Sequence, residues 1–159
     1  MTTTTHASFV IERFYSASPK RVYAAWSDPV AKRAWFVDGE GWDIQSYEID
    51  FREGGSEKST YGFRRGEEIF GEKTAFTNET VFNEIIENER IVFTYSMARN
   101  GARFSVSLAT IEIAPSDKGS RLIFTEHGAF FEGGDNATMR EQGWQELLGK
   151  LDAFLAEGA

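Results

Sequence analysis

The sequence has 159 residues, no cysteine, and a formal net charge of −8. This length suits one domain, and the lack of cysteine excludes disulfides, thiolate metal ligands and cysteine nucleophiles. The acidic balance argues against nucleic acid as a partner, and no run approaches the roughly 18 apolar residues that a membrane span needs.

The N-terminal residues carry neither the basic nor the apolar segment of a signal peptide, so we expect a cytoplasmic protein. Residues 1–7 are rich in threonine and are interpreted as a mobile arm before a single domain over residues 8–157. Residues 9–15 are β-branched and aromatic, which favours a strand. Ser18-Pro19 and Asp28-Pro29 each pair an N-cap with a proline at the first helical position, and they predict two short helices, over residues 19–26 and 29–36.

From Trp42 onward the pattern changes to the alternation of a half-buried strand. Trp42 and Ile44 share the register of residues 47–51 only if a bulge falls near Gln45-Ser46. Further strands are predicted over residues 59–63, 80–86, 90–97, 102–113 and 120–130. Gly54-Gly55 and Asn100-Gly101 supply hairpin turns, and such short connections make the sheet antiparallel.

A long amphipathic helix is predicted after the last strand. Asp135 or Asn136 supplies its N-cap, and it runs to about Glu157 with one apolar face: Trp144, Leu147, Leu148, Leu151, Phe154 and Leu155. A single helix is too narrow to cover a flat sheet of this width. We therefore predict an α+β helix-grip fold, in which a curved antiparallel sheet of six to seven strands wraps the C-terminal helix and two short helices follow strand 1.

Several strings in this order resemble the START-like or SRPBCC superfamily, which has the fold of the birch pollen allergen. They are RFYSASP at 13–19, VYAAWSDP at 22–29, Trp35, YEIDFREGG at 47–55, RIVFTY at 90–95, and Gly143-Trp144. Within the superfamily they look like the group named after the C-terminal domain of Aha-type activators of the heat-shock-protein-90 ATPase. Two departures stand out: Gln142 replaces a histidine that is frequent in the group, and the stretch 70–80 looks longer than the common pattern. Functions in this superfamily range from lipid carriage to co-chaperone work, so the resemblance leaves function open.

Aromatic residues make up 14% of the chain, which fits either a well-filled core or a ring-walled cavity. The predicted cavity lining comprises Trp35, Trp42, Tyr47, Phe51, Tyr61, Phe63, Tyr95, Phe124 and Trp144, with Arg103 and Glu126 as polar members. Glu126 either pairs with a base on a neighbouring strand, for which Arg103 is the candidate, or stands in the cavity as an acid, base or ligand anchor.

The two histidines, His6 and His127, form no cluster with metal-ligand spacing, so we expect neither a metal nor a cofactor. The leading hypothesis is a non-catalytic binder of a small apolar molecule. One alternative is a co-chaperone-like module whose partner is a chaperone. A second is an enzyme of the cyclase or dehydratase kind that uses Glu126 or a tyrosine as its acid–base. A homodimer stays open, while nucleic acid and membrane are not expected as partners.

Overall fold

The computed structural model describes residues 3–39, 42–63, 74–132 and 134–158, with only the backbone for Phe63. Its elements are β1 (Thr4–Tyr15), α1 (Pro19–Ser27), α2 (Pro29–Lys32), a π-helical turn (Arg33–Val37), β2 (Trp42–Ile49), β3 (Ser56–Phe63), β4 (Phe76–Ile86), β5 (Arg90–Arg99), β6 (Ala102–Ser116), β7 (Gly119–Phe131) and α3 (Ala137–Glu157). None of the helices within these ranges has both the length and the apolar character needed to cross a membrane.

The seven strands form one antiparallel sheet in the order β1-β7-β6-β5-β4-β3-β2. Strands β2 to β7 are consecutive neighbours, and β1 pairs with the free side of β7, so the first and last strands lie together. The sheet curves around α3, and the short helices follow β1. The predicted helix-grip fold is confirmed.

Strand β1 begins earlier than the sequence indicated. Thr4 pairs with Phe131 and Ala7 with Gly128, so residues 4–7 extend the sheet edge. Residues 4–7 belong to the arm that the sequence predicted over residues 1–7, and in the structure they lie in β1. Threonine is a good strand residue, but composition could not reveal that β7 offers an edge for it to pair with.

The predicted helix starts and turns are confirmed at the residues that signalled them. The Ser18 side chain accepts a hydrogen bond from the Arg21 amide, and Asp28 accepts from the amides of Val30 and Ala31. Asn100 and Gly101 have φ values of 50° and 84°, as an Asn-Gly hairpin requires. The second short helix ends at Lys32 and continues as the wider π-helical turn, which the sequence did not indicate.

Within the described strands, bulges bend the sheet at three places. The predicted irregularity between Ile44 and Ser46 is present, and further register shifts fall at residues 82–84 of β4 and 97–98 of β5. Each bulge increases the local twist and bends its strand. Residues 70–73 of the stretch 70–80 lie outside the described residues; the rest of it leads into β4, which begins at Phe76.

Helix α3 packs its apolar stripe into the curved sheet. Trp144, Leu148, Leu151 and Leu155 are buried, and the Trp144 ring lies 4.2 Å from that of Phe124, centroid to centroid. Burying each such side chain stabilises the fold by about 1.5–3 kcal/mol. Core packing is therefore dense along the C-terminal two-thirds of α3, from Trp144 onward. The first turns of the helix make a different kind of contact, described below.

Candidate ligand pocket

A pocket of about 450 Å³ lies between the first half of α3 and the ends of strands β2 to β5. This volume falls within the roughly 300–1,000 Å³ of small-molecule sites. Its apolar walls are formed by Phe36, Val37, Trp42, Ile44, Tyr61, Tyr95, Met97, Met139, Trp144 and Leu147. Polar groups from Ser59, Asn78, Asp135, Arg140, Glu146 and Lys150 also reach it.

Aromatic rings form two opposite walls of the pocket. On the sheet side, the Trp42 ring stands perpendicular to Tyr61 at a centroid distance of 5.1 Å. On the helix side, Phe36 lies 5.9 Å from Trp144. The Trp42–Tyr61 contact is edge-to-face and the Phe36–Trp144 contact is tilted, and both geometries are favourable between aromatic rings.

The floor of the pocket is a buried polar cluster centred on Arg140. Its guanidinium donates to both carboxylate oxygens of Asp135 at 2.9 and 3.0 Å, and to the Ser105 hydroxyl at 2.6 Å. It also donates to the Tyr95 hydroxyl at 2.9 Å and to Glu126 at 3.2 Å. A guanidinium has five N–H donors, and these five contacts use them all.

Glu126 lies beneath this floor and is fully buried. Its oxygens accept from the Tyr95 hydroxyl at 2.6 Å and from the Ser107 hydroxyl at 2.8 Å, in addition to Arg140. The Tyr95 oxygen in turn accepts from the indole N–H of Trp144 at 3.1 Å. The cluster thus satisfies its members internally, as buried polar groups must be.

Two members of the cluster, Arg140 and Tyr95, have raised pKa values. Burial opposes the charge of Arg140, but Tyr95, Asp135 and Glu126 outweigh it and raise the pKa of the guanidinium. Burial raises the pKa of Tyr95 although Arg140 opposes that shift. Both groups therefore stay protonated at neutral pH, and two carboxylates face one guanidinium.

Local sequence explains how these groups meet. Glu126 shares the buried face of β7 with Leu122 and Phe124 because strand side chains alternate. Arg140 precedes Trp144 by four residues, so both lie on the inner face of α3. Asn136 caps α3 by accepting from the Met139 amide, and Asp135 stands just before it. In the sequence, the one indication that Arg140 is buried is its position, as a cation, on the apolar face of the predicted helix.

Four of the predicted lining residues meet at the pocket: Trp42, Tyr61, Tyr95 and Trp144. Glu126 belongs to the cluster below them. Its predicted partner, Arg103, is exposed on β6, and Arg140 makes the ion pair instead. The sequence does not reveal whether the ionic partner of Glu126 comes from α3 or from a neighbouring strand, because that partner is fixed by where the helix crosses the sheet.

The remaining predicted residues lie elsewhere. Trp35 is buried, and its indole N–H donates to the Ala25 carbonyl at 2.8 Å. Phe51 packs against Phe82, and Phe124 packs in the core beside Trp144. The side chain of Phe63 lies outside the described residues.

Tyr47 belongs to a second polar group, which borders the pocket. Its hydroxyl donates to Glu57 at 2.5 Å, and the buried Lys32 ammonium binds the same carboxylate at 3.0 Å. Lys32 also lies 4.2 Å from the ring centre of Phe36, a pocket residue, in a cation–π contact. Burial lowers the pKa of Lys32, while Glu57 opposes that shift. This group connects the short helices to β3 and supports the Phe36 wall.

Metal ligation has no support in the described part of the chain. No group of three or more His, Asp or Glu side chains there is arranged to hold an ion. His127 is exposed on the outer face of β7, where its Nδ1 lies 3.1 Å from the Ser8 hydroxyl.

Comparisons with known proteins agree with this architecture. A family model described as Activator of Hsp90 ATPase homolog 1-like protein matches residues 16–156. A solved structure of an uncharacterized Rhizobium leguminosarum protein is similar, with 32% identity, a TM-score of 0.89 and coverage of 99% of each chain. The Mll3558 protein of Rhizobium loti shares 40% identity, with a TM-score of 0.84 over 96% of this chain and 99% of its own. Comparison with curated protein sequences gives no match.

One solution structure shows how far the fold extends beyond sequence similarity. The AHSA1-like protein of Aeromonas hydrophila is 16% identical, yet it aligns with a TM-score of 0.68 over 96% of this chain and 94% of its own. At this identity the likeness concerns the fold alone.

Removing the central cation should be costly. In Arg140→Met, Glu126 stays buried without its ionic partner, so the free energy of unfolding should fall by about 3–5 kcal/mol. Urea denaturation measures this. Adding Glu126→Gln to that variant should restore part of the loss, because the unpaired charge is then removed.

The matched control is Arg121→Met, which breaks an exposed ion pair with Glu12. Such pairs contribute at most about 1 kcal/mol. If Arg140→Met costs no more than Arg121→Met, the cluster does not anchor the helix.

Proposed function

The chain belongs to the family of Activator of Hsp90 ATPase homolog 1-like proteins, and we propose that it binds a small hydrophobic molecule in the pocket between its sheet and α3, without catalysing a reaction. Family membership confirms the resemblance that the sequence strings indicated. The proposal is carried by one observation, which is the ring-walled space of about 450 Å³ beside Trp42 and Trp144.

The nature of the walls supports an apolar occupant. Aromatic and aliphatic side chains dominate the lining, and two methionines, Met97 and Met139, add flexible surface that adapts to ligand shape. Burial of apolar ligand surface against them would supply the main driving force. Polar groups are few and lie at the floor and rim, which is the usual arrangement in small-molecule sites.

The absence of catalysis is part of the proposal because the acidic groups near the pocket are already engaged. Glu126 is fully buried beneath the floor, and Glu57 is held by Lys32 and Tyr47. Burial raises the pKa of the pocket residue Tyr61, which makes its hydroxyl a poor proton donor and keeps it un-ionised. An acid–base pair would need two proton-transfer groups within hydrogen-bond reach of one bound molecule, whereas the remaining lining carboxylate, Glu146, is exposed at the rim.

The proposal predicts that filling the pocket abolishes uptake of an apolar molecule. Gly143 lines the pocket on α3, and a Cβ at that position meets open space. Gly143→Phe should therefore place a ring in the cavity without a clash and lower the affinity for a neutral dye such as Nile red at least about tenfold. Fluorescence titration measures the affinity.

Gly149→Phe is the matched control, since Gly149 is also in α3 with open space at its Cβ but does not line the pocket. It should bind the dye like the original protein. Equal binding by both variants, or no dye uptake by the unmodified chain, would count against the ligand-binding proposal.

A second candidate function, a co-chaperone-like interaction module, is favoured by the outer face of the sheet. Val10, Val81, Val106 and Leu108 are large apolar side chains exposed there. Leu108 and Val81 lie in one row across β6, β5 and β4, with Thr94 between them. Exposed apolar side chains that cluster in this way are typical of surfaces that contact other proteins. The family description names activation of the Hsp90 ATPase, so a chaperone of that kind is the partner to test.

This candidate predicts that the unmodified chain stimulates the ATPase of an Hsp90-type chaperone from its own organism. Leu108→Glu should reduce the stimulation, because a charge is placed within this apolar row. Gly143→Phe should leave it unchanged, since the pocket lies on the other face of the sheet. A steady-state ATPase assay measures the stimulation. If the unmodified chain does not stimulate the ATPase, this second function is contradicted.

A further inference from the structure

The pocket floor contains a cation that is not available to a ligand. An arginine at the base of an apolar pocket ordinarily indicates a carboxylate or phosphate ligand, because its forked donors match such anions. Here all five N–H groups of Arg140 already donate within the protein, to Asp135, Glu126, Tyr95 and Ser105. A ligand anion would have to displace one of these partners before it could be bound.

The charges around the pocket also disfavour an anion. At the floor, the carboxylates of Asp135 and Glu126 outnumber the guanidinium of Arg140, and Asp135 itself lines the space. At the rim, Lys150 donates to the Asp38 carbonyl at 2.9 Å, burial lowers the pKa of its ammonium although Asp38 opposes that shift, and the Glu146 carboxylate lines the same space. A carboxylate that reaches the floor would lose its hydration beside Asp135 without gaining an ionic partner there, which is costly in a partly buried site.

Uncharged hydroxyls are what the pocket does offer. Ser59 and Tyr61 lie two residues apart on the inner side of β3, and both line the space. Among the described residues, neither side chain makes a hydrogen bond, unlike Tyr95 in the floor. Both can donate to or accept from a neutral polar group. The surrounding rings of Trp42 and Trp144 favour a flat molecule.

On the basis of the proposed function, we infer the class of ligand: an uncharged, ring-containing molecule with a hydroxyl or carbonyl group, bound by the rings of Trp42 and Trp144 and the hydroxyls of Ser59 and Tyr61. Carboxylates of the same shape, including fatty-acid-like anions, are rejected because Asp135 and Glu126 occupy Arg140. Asp135 is thus the residue that sets specificity, since it lines the space and accepts from two of the five donors of Arg140.

The test is displacement of bound Nile red by three molecules of one shape: naphthalene, 2-naphthol and 2-naphthoate, at neutral pH. The original protein should bind 2-naphthol at least about tenfold more tightly than 2-naphthoate, because the carboxylate finds no free cation at the pocket floor. Asp135→Asn should raise the affinity for 2-naphthoate about fivefold or more, since donors of Arg140 are released and a negative charge is lost. Binding of naphthalene should change little.

Glu146→Gln is the matched control, because it removes the same charge from the pocket lining while leaving the Arg140 contacts in place. It should change the affinity for 2-naphthoate less than twofold, because it releases no donor of Arg140. Thermal unfolding and naphthalene binding establish that Asp135→Asn remains folded. If that variant unfolds, the ratio of 2-naphthol to 2-naphthoate affinity in the original protein decides alone.

The outcomes separate this inference from the function on which it rests. If 2-naphthoate displaces the dye as well as 2-naphthol does, the ligand class is overturned while the binding function stands. If Asp135→Asn and Glu146→Gln raise 2-naphthoate affinity equally, general charge rather than Arg140 sets specificity, and the inference also fails. If the dye itself does not bind, the proposed function fails.

Discussion

The ion pair between Arg140 and Glu126 is the contact on which the arrangement of helix and sheet depends. A buried guanidinium is tolerated only when each donor finds an acceptor, and here the acceptors come from β5, β6, β7 and the residue before the α3 cap. This requirement fixes where the helix starts over the sheet. One turn later, Trp144 donates to the same Tyr95 hydroxyl, so the polar and apolar anchors of α3 share one residue.

The pocket follows from what surrounds that anchor. Beneath the C-terminal part of α3, inward positions carry Phe82, Ile91, Ile111 and Phe124, which fill the space. Toward the start of the helix, the buried inward positions are short and polar, at Ser59, Thr80, Ser105 and Ser107. Ser105 and Ser107 bond to the cluster and Thr80 bonds to Asn78. These side chains are too short to fill the space beneath α3, and the rings of Trp42 and Tyr61 pack against each other. The pocket remains where neither the large apolar side chains nor the short polar ones fill the space beneath α3.

Sequence pattern predicts this fold well because most of its signals are local. Alternation marked the strands, Asn100-Gly101 marked a hairpin, and Ser18 and Asp28 marked helix starts, all of which depend on neighbouring residues. The pocket was predicted less well because its members come together across the sheet. Arg140 and Ser105 are 35 residues apart, and nothing local distinguishes a buried helical arginine from a solvated one. Likewise, Trp35 and Phe51 carry the same aromatic signal as Trp42, but packing places them in the core.

The central claim is that Arg140 is fully engaged inside the protein. Nitrogen-15 NMR of the arginine side chains tests it most directly, because a guanidinium held at every N–H cannot rotate freely and protects its protons from exchange. Arg140 should give separate, slowly exchanging Nη–H signals that persist when 2-naphthol is added, while exposed Arg103 serves as the internal reference with averaged signals. Averaged, rapidly exchanging signals from Arg140 would contradict the account.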